Sequence, residues 1–207
     1  RELSWDPLVL ADGRLQQMLA DLRTIPHVKL IRFDTKMIAV NPYRVTEAFL
    51  QMVRQYKPVY MNLHFVHPYE LNDDVRDACE RLADAGVCLG SHTPLLGGVN
   101  DEVEILRDLF LGLIEVRVRP YYLIHYIPTE FTAHFRASLE KGRAIIKGLW
   151  GHVSGLANPT YIVYLPRGCG KVMYMPDYLL ERDPDGYWFE TFEGGVAVYP
   201  MKVDDER

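Results

Sequence analysis

Between Gly13 and Pro166, segments with helical spacing of apolar residues alternate with short runs of β-forming residues, and this alternation constrains the fold more than any other feature. In "GRLQQMLADLRTIP" the apolar Leu15, Met18, Leu19 and Leu22 share one face, and Pro26 ends the run. A strand follows in "VKLIRFDT" (28–35), then a helix in "VTEAFLQMVRQYK" (45–57) and a strand in "VYMNLHF" (59–65). The next helix spans "LNDDVRDACERLADAG", with Asn72 or Asp73 placed to cap its start and Gly86 its end. Strand "VCLG" (87–90), helix "DEVEILRDLFLGLI" (101–114), strand "VRVRPYYLI" (116–124), helix "LEKGRAIIKGLWGHVSG" (139–155) and strand "TYIVYLP" (160–166) complete the series.

Five strands separated by four helices are parallel βαβ units, which form either an incomplete (β/α) barrel or an open sheet. The expected fold class is α/β, a partial (β/α) barrel, because the unusual polar residues gather at strand C-terminal ends, where such folds build their sites. Residues 1–171 are read as the barrel segment and 172–207 as a C-terminal β appendage packed on it. In that appendage "YWFETFEGGVAVYP" reads as a hairpin, and the closing "MKVDDER" as a frayed end. With 207 residues, 48% of them hydrophobic, one sizeable core is within reach. A net charge of −5 with scattered Lys and Arg argues against a nucleic-acid partner. No apolar run approaches the roughly 20 residues of a membrane span, and "RELSWDPLVL" lacks a signal-peptide pattern, so a cytoplasmic location without a membrane partner is expected. Cys79, Cys88 and Cys169 include no C-x2-C pair, which fits reduced thiols and leaves no standard spacing for a structural zinc site.

The chemistry-bearing residues lie where the strands end. "NLHFVHPYE" carries His64 and His67, "GSHTPLLGGVND" carries His92, and "LIHYIP" carries His125. Histidines from three strand ends can converge on a metal, as in barrel hydrolases, but that reading lacks the expected strand-end aspartates and no metal site is expected. Lys171 closes a Gly-Cys-Gly turn directly after a β run. Close backbone approach and partial desolvation at such a place suit an amine that bonds covalently to a carbonyl, although a solvated turn lysine looks the same in local sequence.

Three stretches decide further: "NLHFVHPYE…ACERLADAGVCLGSHTPLLGGVND", "VRVRPYYLIHY" and "GLWGHVSGLANPTYIVYLPRGCGK". Together they resemble the C-terminal two-thirds of the lysine 2,3-aminomutase family, ungapped from about Asp6 to Tyr199. The resemblance implies an isomerase that moves an amino group between adjacent carbons of an amino acid, using S-adenosylmethionine, a 4Fe–4S cluster and pyridoxal phosphate. It implies a partial (β/α) barrel, and an oligomer, since family members form them. By the same resemblance Lys171 is the lysine bound to pyridoxal phosphate, and Asp6, Arg32, His64 and His92 lie on the adenosylmethionine side. His92 stands where the best-known members carry glutamine.

The departures are as informative. The family's C-x3-C-x2-C cluster motif is absent here, so the chain reads as a fragment that cannot cleave adenosylmethionine alone. The family's Gly-Gly-Asp aligns with Ser4, Trp5 and Asp6. Where lysine-specific members hold the distal ammonium with two aspartates, this chain has Ile127 and Tyr164, so a substrate with an apolar, aromatic or hydrogen-bonding side chain is expected in place of free lysine. The alternative function is a non-catalytic binding or assembly module that has kept the barrel.

Overall fold

The computed structural model describes residues 6–201. Its larger sheet has six strands in the order β1 (Ile31–Thr35), β2 (Val59–His64), β3 (Cys88–Pro94), β4 (Arg119–Ile124), β5 (Thr160–Tyr164) and β6 (Lys171–Met173). The first five pair in parallel and in sequence order, while β6 returns antiparallel on β5. Parallel neighbours need long crossovers. Helix α1 (Asp12–Arg23) lies ahead of β1, and the crossovers contain α2 (Met37–Val40), α3 (Glu47–Gln55), α4 (Asp73–Asp84), α5 (Val103–Glu115) and α6 (Leu139–Leu149). Asn72 caps α4 as expected, its side-chain oxygen accepting from the Val75 amide.

Period-two alternation gives this sheet two unlike faces. Ile31, Phe33 and Thr35 of β1, Val59, Met61 and Leu63 of β2, and Leu89, Ser91 and Thr93 of β3 are all buried. They meet the apolar stripes of the helices, such as Phe49 and Val53 of α3, Val75 and Leu82 of α4, and Leu106 and Phe110 of α5, in one continuous core. Gly142 of α6 is where a helix comes closest to the sheet: a Cβ there would lie 2.2 Å from Cζ of the buried Tyr161. The in-between residues, Arg32, Asp34, Tyr60, His64, Cys88 and His92, are less buried and point to the opposite side.

Several boundaries differ from the sequence expectations. Strand β3 runs on through Ser91, His92 and Thr93 to Pro94, so His92 lies within the strand. Helix α6 stops at Leu149, where Trp150 turns to extended backbone and Gly151 takes φ +82°. The C-terminal appendage is three strands, β7 (Leu179–Arg182), β8 (Gly186–Glu190) and β9 (Val196–Pro200), in place of a two-stranded hairpin. "LLER" lacks β-branched residues, so its strand state comes from pairing with β8. This small antiparallel sheet is separate from the larger one and docks on the end of α6. There Lys147 Nζ lies 2.7 Å from a Glu190 oxygen, and Phe192 packs over Gly151 and edge-on to His152. No helix among the described residues is long and apolar enough to cross a membrane.

Candidate functional site

The exposed side of the larger sheet carries a row of side chains that register alone brings together. His64 of β2 pairs with His92 of β3, and His92 with Tyr122 of β4. A bulge in β4 inserts Tyr121 opposite the Ser91–His92 step, so two consecutive tyrosines stack with ring centres 3.9 Å apart and their hydroxyls 3.0 Å apart. The imidazole of His92 lies between His64, at 5.6 Å, and Tyr122, at 5.5 Å, with all three rings near parallel.

Lys171 closes the row. Leu165 N–H donates to Gly170 C=O across the turn, and positive φ at Arg167, Gly168 and Gly170 lets the chain reverse within it. The reversal sets Lys171 opposite Tyr164 at the start of β6, with its ammonium 4.3 Å from the centre of the Tyr122 ring. Lys171 is exposed, so the described residues do not supply the desolvation expected of it.

At the other end of the row stands Asp34, one residue before the end of β1. Its Oδ2 accepts from Arg32, at 2.9 Å, and its Oδ1 accepts from Asn62 Nδ2, at 2.8 Å, and lies 3.6 Å from His92 Nδ1. Asp34, His64 and His92 each offer one ligand atom, all within 4.8 Å of one another. The strand-end aspartate missing from the sequence reading is therefore supplied by β1. Burial pushes His92 down to about 4 and lowers His64 as well, the nearby Asp34 charge only partly opposing this, so both imidazoles are neutral at pH 7. His92 Nε2 is buried with no hydrogen-bond partner.

The other histidines are elsewhere engaged. His67 caps a short turn, its Nδ1 accepting from the Tyr69 amide while Glu70 accepts from the His67 and Val66 amides. His125 Nδ1 is 2.7 Å from the Tyr161 hydroxyl, and its own pKa is lowered by burial. Asp6 fastens the start of the described chain to the end of β1, accepting from Thr35 Oγ1 and from the amides of Leu8, Lys36 and Met37. Ser4 and Trp5, aligned with it above, lie outside the described residues, as does the terminus from Lys202 onward.

A cavity of about 980 Å³ opens beside the row. Arg32, Asp34, Lys36, His64 and His92 line one side, and Ile124, Tyr126, Ile127 and Tyr164 another. Ile127 and Tyr164, about half exposed, thus face the same space as His64 and His92. Sequence reasoning missed Asp34, Lys36, Asn62 and Tyr122. The first could have been found from "IRFDT", where polar residues at alternate positions mark an open strand face, and Lys36 is held by Glu70 and the His64 carbonyl.

A model of the family described as lysine-2,3-aminomutase matches residues 146–205, from the end of α6 through β5, the Lys171 turn and the small sheet. The L-lysine 2,3-aminomutase of Fusobacterium nucleatum is 41% identical over 94% of this chain and 46% of its own length. That of Clostridium subterminale is 41% identical over 96% of the chain and 48% of its length. The glutamate 2,3-aminomutase of Clostridioides difficile is 40% identical over 97% of the chain and 47% of its length. The chain spans about half the length of these curated relatives.

Proposed function

Because the chain belongs to the lysine 2,3-aminomutase family over the stretch it shares with those proteins, we propose that it forms the amino acid and pyridoxal phosphate side of an amino acid 2,3-aminomutase. The observation that carries this reading is the row His64, His92, Tyr122 and Lys171, which sets a primary amine against the Tyr122 ring on the same sheet face whose His64 and His92 line a large cavity. Parallel sheets are ordinarily covered on both faces. Here, among the described residues, the helices cover one, and the other presents this row; that arrangement suits a partial (β/α) barrel whose interior is the open face.

Lys171 is the residue that would hold pyridoxal phosphate, and its surroundings fit. The amine is accessible, Tyr121 and Tyr122 offer flat faces for a pyridine ring, and β6 is anchored by its pairing with β5. When bound, the group supplies a covalent grip on the substrate nitrogen and a π system through which that nitrogen can change carbons. The protein's own part is positioning. Tyr164, the register partner of Lys171, faces the cavity, and with Ile127 it gives the side-chain end of the substrate an apolar wall with one hydroxyl. An ammonium placed there would lose paired charges, so an amino acid with an apolar or aromatic side chain fits better than lysine. Adenosylmethionine and a 4Fe–4S cluster belong to the same proposal, and the three thiols here do not follow the cluster motif: Cys79 is buried in α4, while Cys88 and Cys169 lie on β3 and in the turn.

The test is turnover by a protein that joins this segment to a C-x3-C-x2-C segment, assayed anaerobically with adenosylmethionine and reductant. The expected result is a β-amino acid formed from an apolar or aromatic α-amino acid faster than from lysine, and loss of it in Lys171→Ala. Equal or faster turnover of lysine would overturn the substrate reading, and full activity of Lys171→Ala the catalytic one.

A further inference from the structure

His125 is the first residue past β4 and is tied to β5 twice: its amide donates to the Ile162 carbonyl, and its Nδ1 lies 2.7 Å from the Tyr161 hydroxyl. Burial decides which partner donates in the second bond. Tyr161 is fully buried against α6, where Gly142 comes so close that a Cβ would lie 2.3 Å from the hydroxyl oxygen. Among the described residues that hydroxyl has no partner but His125. Were Nδ1 the donor, the phenolic hydrogen would be buried without an acceptor; Tyr161 therefore donates, Nδ1 accepts, and the proton of the neutral ring sits on Nε2.

Nε2 has no partner among the described residues, and the half-buried ring borders two cavities. One is the cavity of about 980 Å³ described above. The other, of about 430 Å³, opens at the ends of β4 and β5 and shares His125, Tyr126 and Tyr164 with the first. From this fixed donor at the junction of two cavities we infer that His125 determines side-chain specificity, donating from Nε2 to the ring oxygen of a hydroxylated aromatic amino acid of the tyrosine kind. As to substrate, this rests on the aminomutase reading above and narrows it.

The surroundings select that class. Tyr126, Pro128 and Val163 give a ring apolar and aromatic contact. Arg136 and Glu140 line the same small cavity, so a side chain of either charge meets one like and one opposite group, and a neutral oxygen suits it better. Lys171 lies opposite Tyr164 on β6, two strand spacings or about 10 Å from β4, a span within reach of an amino acid with a para-substituted ring.

The experiment begins with the chain alone, using p-cresol and toluene as probes that differ in one hydroxyl. Long-range ¹H–¹⁵N spectra at pH 7.5 should show His125 protonated on Nε2. Titration with p-cresol should shift its ring signals with a Kd of millimolar order, and toluene should bind roughly tenfold more weakly. His125→Asn keeps an acceptor for Tyr161 but lacks the Nε2 donor; read from ligand spectra, it should bind both probes equally. His125→Gln, whose amide reaches the Nε2 position, should regain the preference for p-cresol. In the joined protein described above, kcat/KM for tyrosine should exceed that for phenylalanine about tenfold, through KM, and fall to parity in His125→Asn. An Nδ1-protonated ring, equal affinity of the native chain for both probes, a preference that survives His125→Asn, or equal use of tyrosine and phenylalanine would overturn the inference. The probe titrations need neither Lys171 nor pyridoxal phosphate, so they fail or hold separately from the proposed reaction.

Discussion

Cys79 and Lys171 mark the two extremes of environment in this chain. Burial in α4 pushes the Cys79 thiol up to about 12, whereas Cys88 and Cys169 are exposed. At pH 8 only about one Cys79 in ten thousand would be thiolate, so two thiols should react with a disulfide reagent within minutes and the third only after unfolding. Three fast thiols would contradict the packing of α4. His125 gives a pH-dependent counterpart. Its folded-state pKa lies below the ordinary value near 6.5 because of burial, so the unfolded chain binds the proton more readily. The stability it contributes is full above about pH 6.5 and is lost as pH falls through its lowered folded value. In urea unfolding, the stability difference between the native chain and His125→Asn should therefore shrink from pH 7.5 to pH 5; a difference that is constant or grows would refute the sign. Lys171 was legible as a residue of interest from its turn and from resemblance, but its neighbour Tyr122 was not, because the β4 bulge that aims both tyrosines at the open face leaves no mark in "RPYYLI".

At the scale of elements, two residues tie the site to the scaffold. Asn100, fully buried, donates to the Val66 and Pro94 carbonyls and accepts from the Leu96 amide, locking together the segments that follow β2 and β3. Removing it in Asn100→Ala leaves buried backbone groups unpaired and should cost about 2–4 kcal/mol in urea unfolding. Gly142→Ala would drive a methyl group into Tyr161, for a cost of about 1–3 kcal/mol, and should also disturb the Tyr161 contact to His125 at the cavity wall. Free energies within 0.5 kcal/mol of the native chain, on the order of an ordinary surface change, would count against both contacts. The helices and their order were readable because amphipathic spacing and caps are local. The reach of β3 was not: "GSHTP" has the composition of a loop and is a strand only because β2 and β4 flank it. His92 falls past the strand that the sequence marks at 87–90, and in the structure it is part of β3.

For the whole molecule, the sequence showed an alternating α/β chain but not which face of its sheet lies open, since that depends on where all the helices pack. Strand-end position picked out His64, His92 and Lys171 as candidates; only the register shows that they form one row, with Asp34 at its end. The small C-terminal sheet, clasped to α6 through Glu190 and Phe192, follows the turn that sets Lys171 in place. The central claim is that this turn exists to present an amine to pyridoxal phosphate. It is tested most directly by incubating a protein that contains the full chain with pyridoxal phosphate, reducing with borohydride and mapping the modified peptide by mass spectrometry. The account predicts a single pyridoxyl adduct on Lys171, in the peptide that contains "GCGK", and its absence in a folded Lys171→Ala variant. An adduct on another lysine, or none, would contradict it.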